Sequence, residues 1–349
     1  MKIRDGYLLI GVPLESGLTD PVTLNEEDVM KKAKFLFIVI GMVFLLGCVF
    51  STSVSAFPTK PITLIVAYSA GGSTDVAART MGLYLEKYLG QPIVVKNYPG
   101  AGGQIGFTKL ALAKADGHTI GFINLPALHM NKHARENVTY DPATSYAPIG
   151  CNIIDPNTVM VRKDDDRFKT IQDLIEYAKK NPGKVICGAD GPLSDDQLAM
   201  VKMEKATGVK FTYVSYPGSA KAHAALLGKH SDFIVTNTFD VIRYKDKERC
   251  LVQFWKDRYY MNPDTPTWKE VYGKEFIGSS TRAFAAPAKV PADRLKILRE
   301  AFEKAANDPE YQERAKKIGL TLAWMDHNEL GQFLKALNDD IQSLISELK

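Results

Sequence analysis

The sequence lacks the charge runs and cysteine patterns that mark several classes of protein. Its 349 residues carry a formal net charge of only +4 and no basic arm, so nucleic-acid binding is not expected. Cys151, Cys187 and Cys250 follow residue 56, and this odd number allows at most one disulfide among them. Their spacing fits no zinc site. We expect them to be small buried residues.

Motifs for cofactor binding and hydrolysis are also missing. The glycine turn at residues 100–106 has Ile105 where G-x-G-x-x-G needs glycine, and no P-loop occurs, so we assign this turn a structural role. His129 and His133 have zincin spacing, but Met130 replaces the required glutamate, and we expect both on the solvated surface. No G-x-S-x-G elbow occurs. The sequence therefore predicts no cofactor, no metal site and no enzyme.

One uncharged apolar run lies near the N-terminus, at residues 35–50. Lys31, Lys32 and Lys34 precede this run, and the small or polar residues 51–56 follow it. That order is typical of a secretory signal peptide. Because the run is shorter than the ~20 residues that span a bilayer comfortably, we favour export over an uncleaved membrane anchor.

Two processing sites compete within this segment. Residues 54–56, Val-Ser-Ala, fit ordinary signal peptidase, whereas residues 45–48 resemble a lipobox in which Cys48 would carry lipid. Met30 stands directly before the basic residues, and we expect it to be the true translation start. Residues 1–56 are therefore left out of the predicted fold.

Strand and helix signals alternate from residue 57 onward. Residues 61–67, 93–95 and 119–123 are rich in β-branched or apolar residues and predict strands, with helical periodicity between them. A second unit of this kind runs over residues 158–235, and the chain after Pro291 is helical. The rhythm predicts an α/β protein with a mostly parallel sheet. The length favours two lobes over one core.

A glycine-rich turn follows the first predicted strand and leads into a helix. Gly71 and Gly72 lie in this turn, between Tyr68 and Asp75. Glycine lets the backbone approach a ligand closely, and the free N–H groups at the start of a helix suit an anion. The sequence therefore indicates an anion-binding turn here.

Several motifs in order resemble the receptor family of tripartite tricarboxylate transporters, also called Bug proteins. The similarity runs from Phe57 to the C-terminus. The matching segments are Phe-Pro-Thr-Lys-Pro-Ile at 57–62, Ser-Ala-Gly-Gly-Ser-Thr-Asp-Val-Ala-Ala-Arg at 69–79, Leu-Gly-Gln-Pro-Ile-Val-Val-Lys-Asn-Tyr-Pro-Gly-Ala-Gly-Gly at 89–103 and Ala-Asp-Gly-His-Thr at 115–119.

This resemblance implies a two-lobed periplasmic-binding-protein fold of type II, with the ligand cleft between the lobes. Lobe 1 would comprise residues 57–155 and 279–349, and lobe 2 residues 156–278. Such a protein is periplasmic and captures a di- or tricarboxylate, an amino acid or an aromatic acid for the membrane components of a tripartite transporter. We expect a monomer. A lipid-anchored carboxylate sensor and an enzyme on the same scaffold are the alternatives.

The resemblance also implies which residues contact the ligand. From lobe 1 they would be Tyr68, Ser69, Ala70, Gly71, Gly72, Ser73, Thr74 and Asn124. From lobe 2 they would be Gly191, Ser194, Tyr216, Gly218, Thr236 and Asn237.

The second-lobe motifs depart from the family pattern at several positions. Leu193 replaces the second glycine of G-x-G-S, Gln197 a frequent histidine, and Pro217 the usual lysine. Asp190 adds a negative charge near the cleft, which would repel a carboxylate unless the ligand carries an amine or the acid points away. We expect Asp190 to point to solvent.

Overall fold

The computed structural model describes residue 27 and residues 30–32, 34–36 and 57–344. The two predicted processing sites, including Cys48, lie outside the described residues. Residues 1–56 and 57–349 form separate compact units, and the fold described below is that of the second unit. Within the described part of the chain, no helix is both long enough and apolar enough to span a bilayer.

The chain from residue 57 begins with the predicted βαβαβ unit, here called the first flank. Its elements are β1 (Ile62–Val66), α1 (Ser73–Leu89), β2 (Ile93–Asn97), α2 (Gln104–Ala111) and β3 (Thr119–Leu125). The strands are parallel, in the order β2-β1-β3. This unit is confirmed as predicted. A further helix, α3 (Ala127–Ala134), follows it.

A second βαβ unit, here called the second flank, comprises α4 to β7. The elements of residues 146–272, which include this unit, are β4 (Tyr146–Arg162), α4 (Ile171–Lys180), β5 (Ile186–Ala189), α5 (Asp195–Thr207), β6 (Thr212–Ser215), α6 (Ser219–Leu227), β7 (Phe233–Asn237), α7 (Thr238–Tyr244), β8 (Glu248–Gln253) and α8 (Trp268–Tyr272). β5 pairs in parallel with β6 and with β7.

The chain closes with β9 (Ser279–Pro287), α9 (Ala292–Ala306), α10 (Pro309–Lys317), β10 (Leu322–Met325) and α11 (His327–Leu344). The strand order is β2-β1-β3-β9-β4-β7-β5-β6, with β8 and β10 also paired to β4. β9 and β4 are antiparallel to their neighbours. The expectation of a mostly parallel sheet is therefore wrong for its centre, because two long strands cross there in opposite directions.

Both predicted boundaries between the lobes, where the chain would pass from one lobe to the other, fall at β4 and β9. Ile154 pairs with Thr281, Asp155 with Ser280, and Pro156 with Ser279. Apolar side chains form separate clusters on the two sides, around Phe122 and Phe302 on one and around Phe168, Leu174 and Phe233 on the other. The lobe boundaries at residues 155/156 and 278/279 stay a prediction.

The prediction that His129 and His133 lie on the solvated surface is wrong for His129. α3 packs against α11, and the imidazole of His129 lies beside Leu334 with 1% of the residue exposed. Burial lowers the pKa of His129 to about 4. His133 is half-buried, with Nε2 2.8 Å from Oδ1 of Asn338. Cys151 and Cys187 are buried free thiols as expected, while Cys250 is half-buried and also free.

Candidate functional site

Four strand-to-helix turns meet at the carboxyl ends of the parallel strands. Two of them join β1 to α1 and β2 to α2, and the other two join β5 to α5 and β6 to α6. The Ser69 N–H donates to the Pro217 carbonyl at 3.1 Å, and the Ser73 N–H donates to Ser219 Oγ at 3.0 Å. The first flank and the second flank therefore contact each other directly through these turns.

Glycine is required where the turns touch. Gly218 has φ +150, and a Cβ at this position would lie 2.4 Å from Ser69 Oγ. Gly102 has φ +60, and a Cβ there would lie 2.0 Å from the Pro192 carbonyl oxygen. Any side chain at either position would hold the flanks apart. The second glycine turn, assigned only a structural role from its sequence, thus faces the cleft.

A cavity of about 210 Å³ lies between these turns. Its lining comprises Tyr68, Gly100, Ala101, Gly102, Gly103, Asp190, Gly191, Pro192, Ser215, Tyr216 and Pro217. Three of the predicted contact residues, Tyr68, Gly191 and Tyr216, thus border one cavity. The cavity is of the size that a small metabolite or a few water molecules would fill.

A buried arginine connects residues of both flanks at the base of the cleft. Arg282, on β9, is 1% exposed and donates to Ser73 Oγ at 3.1 Å and to Asn237 Oδ1 at 2.8 Å. Its guanidinium also lies 3.0 Å from Asp155 Oδ2. Burial raises the pKa of Asp155 to about 6, although the charge of Arg282 opposes this rise. Arg282 thus joins predicted contacts of both flanks to the central strands.

Asn124 lies within β3, one residue before its end. Its Nδ2 donates to Thr74 Oγ1 at 3.0 Å and lies 3.4 Å from Ser280 Oγ. The residue is 2% exposed, and its Oδ1 has no hydrogen-bond partner among the described residues. Asn124 Oδ1 is therefore an unused hydrogen-bond acceptor beside α1 and the start of β9.

The loop before α5 is acidic and buried, so the expectation that Asp190 points to solvent is wrong. Asp190, Asp195 and Asp196 are 8%, 6% and 1% exposed, and their oxygens lie within 4.8 Å of one another. β5 ends directly before Asp190, and closure of the two flanks buries this carboxyl under the turns. Burial, with the neighbouring charge of Asp195, raises the pKa of Asp190 to about 7.

Amide side chains satisfy part of this acidic cluster, defined as Asp190, Asp195 and Asp196. Asn157 Nδ2 donates to Asp195 at 2.7 Å and to Asp196 at 2.9 Å, and Asn237 Nδ2 donates to Asp195 at 3.0 Å. Among the described residues, no lysine, arginine or histidine forms an ion pair with any of the three. The cluster is therefore hydrogen-bonded without a paired cation, and burial also raises the pKa of Asp195 and Asp196, which favours their protonated forms.

Some predicted contacts are already engaged elsewhere. Ser194 caps α5: its Oγ accepts from the Gln197 N–H at 3.2 Å and donates to the Gly191 carbonyl at 3.0 Å. The Thr236 hydroxyl donates to Asp240 at 2.9 Å. Ala70 and Gly71 are exposed, and the Gly71 carbonyl accepts from Arg243 at 2.9 Å.

Other cleft residues carry little signal in the sequence. Arg282 and Asn157 lie in strands whose local pattern shows only burial, and their partners are distant along the chain. Ser219 follows a predicted contact and has the position of a helix start, which could have drawn attention to it. Asp195 and Asp196 read as ordinary first-turn acids that stabilise a helix.

Residues 77–349 match the family described as "Tripartite tricarboxylate transporter family receptor". The "UPF0065 protein in gbd 5'region" of Cupriavidus necator is 30% identical over 293 residues, which cover 84% of this chain and 88% of that protein. A second relative, from Agrobacterium vitis, is 32% identical over 303 residues, covering 84% and 85%.

Solved structures share the fold. The periplasmic binding protein BugD superposes with a TM-score of 0.79 at 29% identity, over 83% of this chain and 98% of that one. Rpa4515 of R. palustris with adipate has a TM-score of 0.78 at 24% identity, over 83% and 98% of the two chains. MatC of Rhodopseudomonas palustris with bound malate has 0.76 at 22%, over 83% and 100%. The last two likenesses show the fold alone.

Proposed function

This chain belongs to the tripartite tricarboxylate transporter receptor family, and we propose that it captures a small organic carboxylate and hands it to the membrane components of such a transporter. The family consists of periplasmic solute-binding proteins rather than enzymes. The observation that carries the proposal is the meeting of the α1 and α6 turns across a closed cleft.

The start of α1 supplies groups that bind a carboxylate. The first N–H groups of a helix have no partner within it, and the helix dipole adds partial positive charge there. Gly72, the N-cap of α1, offers no side chain to occupy these donors. A carboxylate could replace the Ser219 hydroxyl or lie beside it, where Arg282 holds the neighbouring Ser73 hydroxyl.

Ligand capture would act through closure. A ligand that contacts turns from both flanks stabilises the closed arrangement more than the open one, and so shifts the population toward closure. We propose Tyr68, Ser69, Ala70, Gly71, Gly72, Ser73, Thr74, Asn124, Gly191, Ser194, Tyr216, Gly218 and Asn237 as the contacts. We propose Thr236 as well, although its hydroxyl, like that of Ser194, is hydrogen-bonded within the protein in this structure.

Export and assembly complete the proposal. The apolar run at residues 35–50 would act as a signal peptide, with cleavage after Ala56 or lipidation of Cys48 as the two routes to the periplasm. The receptor would act as a monomer with lobes at residues 57–155 plus 279–349 and at residues 156–278. The transporter would recognise the closed form.

Thermal unfolding and calorimetry with a ligand panel test this function. The panel contains mono-, di- and tricarboxylates, amino acids and aromatic acids, with neutral amides of the same skeletons as controls. A true ligand at a hundred times its Kd adds about 2.7 kcal/mol of stability and should raise Tm by about 5 °C or more. If no acid raises Tm above its amide control, the protein does not bind carboxylates.

A further inference from the structure

The cleft contains more buried acid than a receptor for a simple carboxylate needs. One buried cation, Arg282, pairs with Asp155 at 3.0 Å, and its charge also acts on Asp190 and Asp195 without forming an ion pair with either. The acidic cluster of Asp190, Asp195 and Asp196 has no such partner among the described residues. Burying unpaired carboxylates in a protein interior is costly unless a cation or protons neutralise them.

Two residues with an unused acceptor oxygen, Asp190 and Asn157, border cavities at the cluster. Oδ1 of Asp190 has no hydrogen-bond partner among the described residues, and Asp190, 8% exposed, borders the cavity beside Tyr68. On the other side, Asp195 borders a second cavity of about 210 Å³ together with Asn157. Asn157 is fully buried, and its Oδ1 also lacks a partner in the described part of the chain.

Helix stabilisation alone does not account for this arrangement. First-turn acids such as Asp195 and Asp196 interact favourably with a helix dipole. Asp190, however, precedes the helix and its Ser194 cap, and lies against the other two acids. A third buried carboxyl at this position raises the repulsion without adding a dipole contact, so its free oxygen needs a different partner.

We propose that the ligand carries a protonated amine, which the cluster of Asp190, Asp195 and Asp196 receives, while its carboxylate meets the start of α1. An ammonium has three N–H donors and no acceptor, which suits a set of buried carboxylate acceptors without a paired cation. The ligand class is thus an amino acid or another amine-bearing carboxylate. This inference rests on the proposed function for the carboxylate half of the ligand.

Matched ligand pairs that differ only by an amine test the inference. Calorimetry with succinate against aspartate, glutarate against glutamate, and propionate against β-alanine, in EDTA, should show the amine member binding about tenfold tighter or better in at least one pair. Equal or weaker binding of every amine member, with the plain acids bound, would overturn the inference and leave the proposed function standing.

Two further outcomes separate the inference from the proposed function. Binding of a diamine such as putrescine, with no binding of any carboxylate, would uphold the acidic cluster as an amine site and refute carboxylate capture. Binding of plain dicarboxylates only when Ca²⁺ or Mg²⁺ replaces EDTA would assign the cluster to a metal ion, the cation that carboxylate oxygens otherwise bind, and overturn the amine.

Asp190→Asn provides the variant test, with Asp257→Asn as its control. Asp257 is exposed and far along the chain from the cleft loops, so the control removes the same charge without touching the cluster. Asp190→Asn should cost about tenfold in affinity for the amine member, and should leave the plain acid of the pair bound equally or more tightly. It should also raise the Tm of the ligand-free protein, which shows that the variant folds. Equal losses for both members would overturn the assignment.

Discussion

The turns before α1 and α5 have the same architecture but opposite electrostatic character. Each follows a parallel strand, faces the cleft and begins a helix. The turn before α1 presents backbone amides and hydroxyls, whereas the turn before α5 and the first turn of that helix together present three buried carboxyls. A helix start favours anions in general, yet the side chains around it decide which charge the second turn can accept.

The acids within the two regions differ in the same way. Burial opposes ionisation of Asp75 in α1, but hydrogen bonds from Arg79 and from the Gly71 N–H outweigh it, so the pKa of Asp75 is lowered. At Asp190, burial and the charge of Asp195 act together, and the pKa is raised to about 7. A buried acid near a helix start is therefore structural when a cation accompanies it, and in our proposal it receives the ligand's cation when none does.

The largest expected effect comes from removing Arg282, the cation that supports the turn before α1, here called the neutral turn. Arg282→Met should lower the free energy of unfolding by about 3–5 kcal/mol, because it leaves Asp155 buried without its partner. Denaturant titration measures this loss. In the control, Arg258→Met, an exposed ion pair with Glu270 and a hydrogen bond to the Pro263 carbonyl are removed, and the loss of stability should be much smaller because both lie in solvent. Similar losses in both variants would show that Arg282 does not hold the cleft floor.

Blocking the neutral turn should abolish binding without unfolding the protein. Gly72→Leu places a Cβ 3.3 Å from Ser219 Oγ, with the rest of the side chain between the flanks. We expect at least a hundredfold loss of affinity, about 2.7 kcal/mol, measured by calorimetry with the best ligand of the panel. Gly331→Leu, where a Cβ meets only Pro148 at 4.0 Å, serves as the control. Unchanged titration of Gly72→Leu would remove this turn from the binding site.

Asp190, in the turn before α5, should make the stability of the folded protein depend on pH. A carboxyl whose folded pKa is about 7, against ~3.9 when unfolded, binds a proton in the folded state first, so stability is lost as pH rises from about 4 to about 7. Asp195, Asp196, Asp240 and Arg282 act on the same carboxyl. Asp190→Asn should reduce this slope and raise stability near pH 7.5 by about 1 kcal/mol or more.

Urea unfolding of the ligand-free protein at several pH values between 4 and 8 measures the slope. Asp257→Asn, which changes an exposed acid, should follow the wild type across the whole range. If Asp190→Asn also follows the wild type, Asp190 is already ionised or solvated in the folded protein, and the electrostatic contrast between the two turns is lost.

Local sequence patterns predicted the flanks well and the centre poorly. The parallel strands and helices of residues 62–125 follow directly from short-range periodicity, as does the Ser194 cap of α5. β9 and the full length of β4 were not predicted, since their pairing joins residues more than a hundred positions apart. Long-range pairing sets their direction, and periodicity in a single segment carries no information about it.

The same limit applies to the candidate site. The glycine turn before α1 was predicted because its geometry is local, and the structure brings Tyr68 and Ser73 to the cleft. Burial of Asp190 depends on the approach of the opposite flank, which no spacing within residues 186–197 reports. Arg282 acquires its partners only when β9 pairs with β4.

The smallest predicted effect concerns one hydrogen bond between the turns. Ser219→Ala removes the acceptor of the Ser73 N–H, which is buried when the flanks meet and would be left unsatisfied there. An unsatisfied buried donor costs about 1–3 kcal/mol. In an open form, water can satisfy the same N–H, so the cost falls on closure and not on folding.

Ser219→Ala should therefore weaken ligand binding about tenfold, which is ~1.4 kcal/mol, while Tm of the ligand-free protein changes little. Ser231→Ala is the matched control, because Ser231 Oγ is also buried but has no hydrogen-bond partner among the described residues. Calorimetry and thermal unfolding of the two variants separate the effects. Loss of stability without loss of affinity would mean that the Ser73–Ser219 contact belongs to the fold, and that the neutral turn binds its ligand without help from α6.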